Sequence, residues 1–299
     1  MEMINSLLAT IMPYLPKFFV RPFAKPYVAG ESIDSVIKIA KKLNDNGFST
    51  TLDILGEFVN SKEEANKIKN AYSELIKKIS AKKLDSTISV KLTHLGLGLD
   101  SNLGEKNFHS LSLIGKENNV GITIDMENSP YTSKTFGIYK NALIDNEQLG
   151  TVIQAYLYRS LDDIKQLDSS SLNLRICKGI YNESQDIAIQ NRSAINDNYF
   201  EMAKTLLNGQ GYACLATHDI TLIDRLESFI DENNISPRRF EFQVLYGVPM
   251  GNRLEKLKKK GYKIRVYVPF GEAWFEYSVR RLKENPKIIS YVLKNLFKK

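Results

Sequence analysis

The sequence predicts an α/β fold in which one domain closes into a (β/α)8 barrel of the TIM type. Eight short strand-like runs recur along the chain, and helical patterns lie between them. Strands that alternate with helices favour parallel pairing, because a parallel crossover takes a dozen or so residues. Eight such units in about 250 residues are typical of a closed barrel.

The predicted elements follow from runs of branched and aromatic residues and from helical periodicity. The strands are 48–54, 88–92, 121–126, 151–157, 173–177, 213–217, 239–245 and 263–268. Helical patterns between them include 62–81, 194–207 and 222–233, and two further helices, 33–44 and 286–297, flank the set.

A single domain is the better interpretation of this pattern. An open doubly wound sheet is the alternative, but the G-x-G-x-x-G that dinucleotide binding needs does not follow the first strand. No tandem repeat or low-complexity linker divides the chain. We predict a proline-interrupted N-terminal arm over residues 1–30, packed on the body, and a barrel domain over residues 31–299. Contact of this arm with a membrane surface is the minority interpretation.

Alternation along the strands sorts their side chains into two faces. An apolar face must meet the helices, so the polar face is expected to point into the barrel. An antiparallel sheet with one wet face shows the same alternation, but the intervening helices count against it. Buried charges need a partner or a ligand. Six polar residues near C-terminal strand ends therefore predict an enzyme with a polar or anionic ligand at the barrel mouth: Lys91, Asp125, Gln154, Arg175, Lys178 and His218.

Composition excludes several other classes of protein. The formal net charge is +7, but the lysines are spread along helices and no arginine-aromatic cluster indicates nucleic acid. Cys177 and Cys214 are too few for a disulfide framework, and with three histidines in no H-x3-H pair we expect no metal site. The sequence has no run of about 20 apolar residues, so we predict no membrane span.

The motifs resemble the proline dehydrogenase family over residues 27–286. Any one motif is weak, but their number and order are specific. They are Ala29-Gly30-Glu31, Thr51-Leu52-Asp53-Ile54-Leu55-Gly56-Glu57, Ile88-Ser89-Val90-Lys91-Leu92, Ile124-Asp125-Met126-Glu127, Gln154-Ala155-Tyr156, Arg175-Ile176-Cys177-Lys178-Gly179, Ala216-Thr217-His218-Asp219, 240–247 and Arg265-Val266-Tyr267-Val268-Pro269-Phe270-Gly271, followed by Trp274, Tyr277, Arg280, Arg281, Leu282 and Glu284. The segment from Leu99 to Asn119 matches poorly, and we expect a loop there without assigned contacts.

The resemblance implies a fold detail, a cofactor and a reaction. The eighth helix is expected over the barrel mouth, with FAD lying across it. The reaction implied is hydride transfer from C5 of L-proline to the flavin, giving 1-pyrroline-5-carboxylate, the first step of proline catabolism to glutamate. A quinone is expected to take the electrons, and pyrroline-5-carboxylate dehydrogenase is expected as a separate chain. The implied location is cytoplasmic, with a transient contact at the inner face of the membrane left open.

The resemblance also implies roles for individual residues. Asp125, Arg175 and Tyr267 are the expected catalytic residues. Substrate contacts are implied for Lys91, Leu245, Tyr277, Arg280 and Arg281, and cofactor contacts for Met126, Gln154, Arg175, Lys178, Gly179, Ile180, Thr217, His218 and Glu284. For Glu284 two roles are open: contact with the adenosine half of FAD, or an ion pair with an active-site arginine. Tyr277 is expected near C4 of the ring, which favours proline over 4-hydroxyproline. Glu57 and Glu127 are expected to be structural, and the amine proton of proline to leave to water.

Plainer roles exist for most of these residues. Without the resemblance, Arg280 and Arg281 would be interpreted as solvent-exposed residues of a helix. His218 would be a histidine at the barrel mouth with its hydrogen bonds made within the protein, and Leu245 would be an ordinary packing residue. Lys91 is also a candidate partner of Asp125, and Asp125 is a candidate acceptor for the Tyr267 hydroxyl. A Schiff-base aldolase using Lys91 or Lys178 is the alternative enzyme, and a basic barrel that binds nucleic acid or a protein is the alternative without catalysis.

Overall fold

The computed structural model describes residues 16–167 and 169–284, and it describes side chains for all of these except 19, 23 and 280–284. The predicted helix 286–297 and the first fifteen residues of the predicted arm lie outside the described residues.

Eight parallel strands form a closed barrel in chain order, which confirms the predicted fold class. The first strand pairs with the eighth as well as with the second, so the barrel has no free edge. The strands are β1 (Ser49–Ile54), β2 (Ser86–Val90), β3 (Ile122–Ile124), β4 (Leu149–Gln154), β5 (Asn173–Cys177), β6 (Tyr212–Ala216), β7 (Phe240–Leu245) and β8 (Lys263–Phe270).

Helices follow the strands and cover the outside of the barrel. The helices are α1 (Lys17–Ala24), α2 (Ile33–Asp45), α3 (Lys62–Ala81), α4 (Ser101–Glu117), α5 (Ser129–Leu143), α6 (Ser160–Leu167), α7 (Arg192–Asn208), α8 (Ile220–Glu232), α9 (Arg253–Lys259) and α10 (Trp274–Glu284). Helix α3 has the predicted bounds, α2 ends one residue later than predicted, and α7 and α8 differ from prediction by one or two residues at each end. Within the described ranges, none is long and apolar enough to cross a membrane.

The loop expected over 99–119 is wrong, because α4 occupies most of it. Asp100 caps the helix by accepting a hydrogen bond from the backbone N–H of Asn102 at 2.9 Å. Gly104 and Gly115 weaken the helical signal in the sequence. Tertiary packing explains why glycine occupies a helical position here: a Cβ at Gly104 would lie 2.6 Å from the backbone of Leu97, so the glycine allows α4 to pack closely on Leu97.

A polar network fills the barrel interior below the mouth, as the alternation of the strands predicts. Glu241 accepts hydrogen bonds from Arg265 Nε and Gln243 Nε2, both at 2.6 Å. Gln243 in turn accepts from Arg175 Nε at 2.7 Å. The two arginines and the glutamate are nearly inaccessible to solvent. Arg265 and Glu241 therefore form a buried pair of opposite charges, as a low-dielectric interior requires, and the neutral Gln243 links this pair to Arg175.

The described part of the N-terminal arm packs behind the last helix. Val20 of α1 and Tyr27 share an apolar cluster with Trp274 and Tyr277 of α10. The N–H of Ala29 donates to the carbonyl of Pro269 at 2.9 Å, which ties the arm to the end of β8. The arm thus supports the helix that follows β8. The division of the chain at residue 30 stays a prediction.

Gly247 is the position at which the loop after β7 meets this arm. Its φ is +78°, and a Cβ there would overlap the carbonyl oxygen of Pro26. Gly251 has a φ of +56° but no atom within 4 Å of the corresponding Cβ position. The two glycines therefore share a left-handed backbone and differ in packing.

We expect Gly247→Ala to lower the free energy of unfolding by about 3 kcal/mol, because backbone strain adds to the clash with the arm. Gly251→Ala, the matched control, should lose only about 1 kcal/mol, from strain alone. Urea denaturation of both variants measures the difference. Equal losses would show that the arm does not press on Gly247.

Candidate active site

A cavity of about 490 Å³ opens at the C-terminal ends of the strands. Its size lies within the range of about 300–1,000 Å³ that is usual for small-molecule sites. Thirteen of the residues predicted from the sequence line it: Lys91, Asp125, Met126, Gln154, Arg175, Lys178, Gly179, Ile180, Thr217, His218, Leu245, Tyr267 and Tyr277.

The side chains of Arg280, Arg281 and Glu284 lie outside the described residues. Their backbone belongs to α10, whose Tyr277 is buried and lines the cavity. This helix therefore stands beside the mouth.

Asp125 is the centre of the polar contacts in this cavity. Its Oδ1 accepts from Arg175 Nη1 and from Ser89 Oγ, both at 2.6 Å. Its Oδ2 accepts from the Tyr267 hydroxyl at 2.8 Å and lies 3.4 Å from Lys91 Nζ. The Lys91–Asp125 pair and the Tyr267–Asp125 hydrogen bond agree with the geometry expected from the sequence.

The charges around Asp125 set its ionisation. Burial raises the pKa of Asp125, but Lys91 and Arg175 reverse the shift and hold that pKa below its usual value. Burial also opposes the charge of Arg175, yet the adjacent Asp125 carboxylate raises the pKa of the guanidinium above its ordinary range. Burial together with the Asp125 carboxylate raises the pKa of Tyr267 well above its usual value, so its hydroxyl remains a donor.

Lys91 lies between two carboxylates. Its Nζ is 3.4 Å from Asp53 Oδ2 and 3.4 Å from Asp125 Oδ2. Burial favours the neutral amine, but Asp53 and Asp125 outweigh it and raise the pKa of Lys91. A Schiff-base lysine must lose its proton to attack a carbonyl. Lys91 is held as an ammonium, and Lys178 forms an ion pair with Asp219 at 2.7 Å, so neither favours the aldolase alternative.

One hydrogen-bond donor of Arg175 is unpaired among the described residues that surround it in the cavity. Nε and Nη1 are engaged by Gln243, Asp125 and Ser89, but the buried Nη2 has no hydrogen-bond partner among the described residues. A buried donor without a partner is costly unless a ligand satisfies it. The guanidinium lies 5.2 Å from the centre of the Tyr267 ring. Arg175 therefore suits a ligand with an acceptor edge.

The backbone approaches the cavity closely at Gly179. Its φ is +112°, and a Cβ there would overlap the Tyr156 ring, so only glycine fits. Across the mouth, His218 Nε2 accepts from the N–H of Leu245 at 2.9 Å. An accepting nitrogen carries no proton, so neutral His218 holds its hydrogen on Nδ1. The Arg175 Nη2 donor, unpaired among the described residues, and the size of the cavity fit a cofactor that needs hydrogen-bond donors.

Some features of the cavity were not foreseen. Asp53, Glu57 and Tyr181 also line it, and Glu57 had been expected to be structural. Glu127 is buried and accepts from the N–H of Thr93 at 3.0 Å, as a structural residue should. Asp53 shares its strand face with Thr51, and this alternation was the signal available in the sequence. Tyr181 lies in a loop, where alternation gives no signal.

Met126 shows where alternation stops. Strict alternation from Ile122 and Ile124 would turn Met126 outward, but Met126 lines the cavity because β3 already ends at Ile124. Cys177 lines the cavity too, and burial raises the pKa of its thiol to about 11, so it is protonated at neutral pH. Among the described residues, no group of three His, Cys, Asp or Glu side chains could hold a metal ion.

Known proteins resemble the chain over nearly its whole length. A family model described as proline dehydrogenase matches residues 36–293. Proline dehydrogenase 1 of Bacillus subtilis subsp. natto is 38% identical, over 97% of this chain and 96% of that protein. Proline dehydrogenase of Deinococcus radiodurans is 34% identical, over 92% of this chain and 90% of that protein.

A solved structure shows the same fold. Proline utilization A from Bdellovibrio bacteriovorus, inactivated by N-propargylglycine, superposes with a TM-score of 0.82 at 26% identity. The match covers 95% of this chain and 34% of that protein, so the present chain spans about a third of its length.

Proposed function

The chain belongs to the proline dehydrogenase family, and from that premise we propose which residues at its barrel mouth bind the cofactor and which bind the proline. The enzyme oxidises proline in proline catabolism, and its family implies a flavin cofactor. The observation that carries the proposal is the convergence of Lys91, Asp125, Arg175 and Tyr267 on one cavity.

The proposed cofactor is FAD, held by Met126, Gln154, Arg175, Lys178, Gly179, Ile180, Thr217, His218 and Glu284. When bound, the flavin accepts the hydride from C5 of L-proline and passes the electrons to a quinone. Arg175 supplies a fixed positive charge and the spare Nη2 donor, which stabilise negative charge as it develops at the ligand. Gly179 allows the backbone to come close, and His218 keeps the β6 and β7 loops together.

The substrate carboxylate is proposed to lie between Lys91 and the arginines of α10. Lys91, Arg175, Asp53 and Asp125 carry two positive and two negative charges when all are ionised, so this group alone does not attract an anion. Arg280 and Arg281 follow Tyr277 by three and four positions on α10, and neighbours at that spacing approach one another. Two guanidinium groups there supply the missing positive charge and the fork geometry that suits a carboxylate.

Asp125 and Tyr267 form the polar wall of the proposed proline pocket. The hydrogen bond from Tyr267 fixes its ring, and Leu245 and Tyr277 supply apolar surface. The amine proton leaves to water, and the product is 1-pyrroline-5-carboxylate. We propose that a separate pyrroline-5-carboxylate dehydrogenase consumes it, and that the cytoplasmic enzyme visits the inner face of the membrane to meet a quinone.

The absorbance spectrum of the purified protein tests the reaction. We expect flavin bands that bleach when L-proline is added without oxygen, and FAD as the flavin released on denaturation. A colourless protein that borohydride traps with a carbonyl substrate would support the aldolase instead. A colourless protein with salt-sensitive association would support the binding alternative. Release of FMN would contradict the choice of FAD.

Arg281→Met tests the carboxylate contact. We expect KM for proline to rise about 10- to 100-fold with FAD still bound, because a charged hydrogen bond to the substrate is lost. Arg238→Met is the matched control, since Arg238 is exposed in the turn that precedes β7 at the opposite end of the barrel. Steady-state kinetics with both variants decide; unchanged proline kinetics in Arg281→Met would refute the role.

Tyr277→Ser tests the contact at C4 of the ring. Removing the buried ring makes room for a hydroxyl, so the ratio of kcat/KM for 4-hydroxyproline to that for proline should rise about tenfold or more. Tyr158→Ser is the control, because Tyr158 is 57% exposed. A ratio that stays at the wild-type value in Tyr277→Ser would remove Tyr277 from the pocket.

A further inference from the structure

A tyrosine on an outer helix reaches the charge network of the active site. The Tyr72 hydroxyl, on α3, lies 3.2 Å from Asp53 Oδ1 at the end of β1. The N–H of Ile54 donates to the same hydroxyl oxygen at 3.2 Å, while the carbonyl of Ile54 lies farther away at 3.4 Å. The hydroxyl hydrogen is therefore available to Asp53. Tyr72 is inaccessible to solvent and Asp53 is 2% exposed.

The other oxygen of Asp53 faces the ammonium of Lys91. Lys91 Nζ is equally far, 3.4 Å, from Asp53 and from Asp125. The two carboxylates differ in their other partners, however. Asp125 also accepts from Arg175, Ser89 and Tyr267, and these bonds anchor it. Asp53 faces Tyr267 as well, but its hydrogen bond from outside the barrel comes from Tyr72.

We propose that Tyr72 and Asp53 are positioning residues for Lys91: the Tyr72 hydroxyl orients the Asp53 carboxylate, which holds the ammonium away from Asp125 and toward the substrate carboxylate. This inference rests on the proposed role of Lys91. Opposite charges attract strongly in a buried site, so without the pull of Asp53 the ammonium moves toward Asp125. Its N–H groups are then directed at Asp125 instead of the substrate.

Four groups face Asp53: Tyr72 from α3, Lys91 after β2, Asp125 after β3 and Tyr267 from β8. Burial, together with the nearby Asp125 carboxylate, raises the pKa of Asp53 to about 6, while Lys91 and the hydrogen bonds from Tyr267 and Tyr72 act to lower it. Below that pH Asp53 takes up a proton and loses its attraction for Lys91. We therefore expect kcat/KM for proline to fall as the pH falls through about 6, and loss of the Tyr72 hydroxyl to move this fall to higher pH.

Tyr72→Phe tests the proposal while keeping the packed ring. We expect KM for proline to rise about tenfold, kcat to change less than about twofold, and the acid limb of kcat/KM to move to higher pH. Tyr139→Phe is the matched control: Tyr139 is an equally buried tyrosine on the outer helix α5, and its hydroxyl accepts from the N–H of Asn173 at the start of β5. The control should keep the wild-type KM and pH profile.

Asp53→Asn and the double variant complete the test. Asp53→Asn should raise KM and abolish the acid limb, and Tyr72→Phe should add less than about twofold in that background, because the two residues act in one chain of contacts. The proposal would be overturned if the increases in KM caused by Asp53→Asn and Tyr72→Phe multiplied in the double variant. It would also be overturned if Tyr72→Phe kept the KM and pH profile of Tyr139→Phe. If Asp53→Asn does not fold, the single Tyr72→Phe comparison decides.

The wild-type enzyme and Arg281→Met are measured beside these variants. If wild type oxidises proline and Arg281→Met raises KM while Tyr72→Phe changes nothing, the proposed function stands and the positioning role falls. If wild type does not oxidise proline, both fall together.

Discussion

The Asp125 carboxylate is the group on which the arrangement of the active site depends. It accepts from Arg175, Ser89 and Tyr267 and faces Lys91, so it joins β2, β5 and β8 across the barrel. Removing one member of a buried ion pair leaves an uncompensated charge. Loss of Asp125 would leave Lys91 and Arg175 with fewer partners and the Tyr267 hydroxyl without its acceptor.

The layer below makes this network rigid. Arg175 donates to Gln243 beneath it, Gln243 donates to Glu241, and Glu241 also accepts from Arg265. The chain of hydrogen bonds therefore runs from the closed end of the barrel to the cavity. Because each buried polar group in this chain restricts the next, Arg175 presents its remaining donor in a fixed direction, which is what preorganised electrostatic stabilisation requires.

The mouth is also supported from outside the barrel. The N-terminal arm packs behind α10 through Tyr27 and Trp274, and Tyr72 contacts Asp53 from α3. Under the proposed function, the charges of Lys91, Arg175, Asp53 and Asp125 balance, and the arginines of α10 add the positive charge that an anionic substrate needs. The arm and α3, both remote in sequence from the strand motifs, therefore support α10 and Lys91, the two elements proposed to hold the substrate.

The sequence by itself determined the closed barrel, the inward polar faces and most of the cavity, because strand alternation and a helix after each strand are local patterns that period and spacing reveal. Lys91, Arg175 and Tyr267 were found this way and through their motifs. The motifs suggested Lys91 and Tyr267 as partners of Asp125, but the sequence did not determine the partners of Arg175: Gln243 lies 68 residues away from it and Asp125 lies 50 away. Nor did it show the early end of β3 that turns Met126 inward, the helix α4 where a loop was expected, or the contact of Tyr72 with Asp53. Those features depend on how far each strand extends and how closely neighbours pack, and only closure of the barrel brings these distant residues within reach of one another.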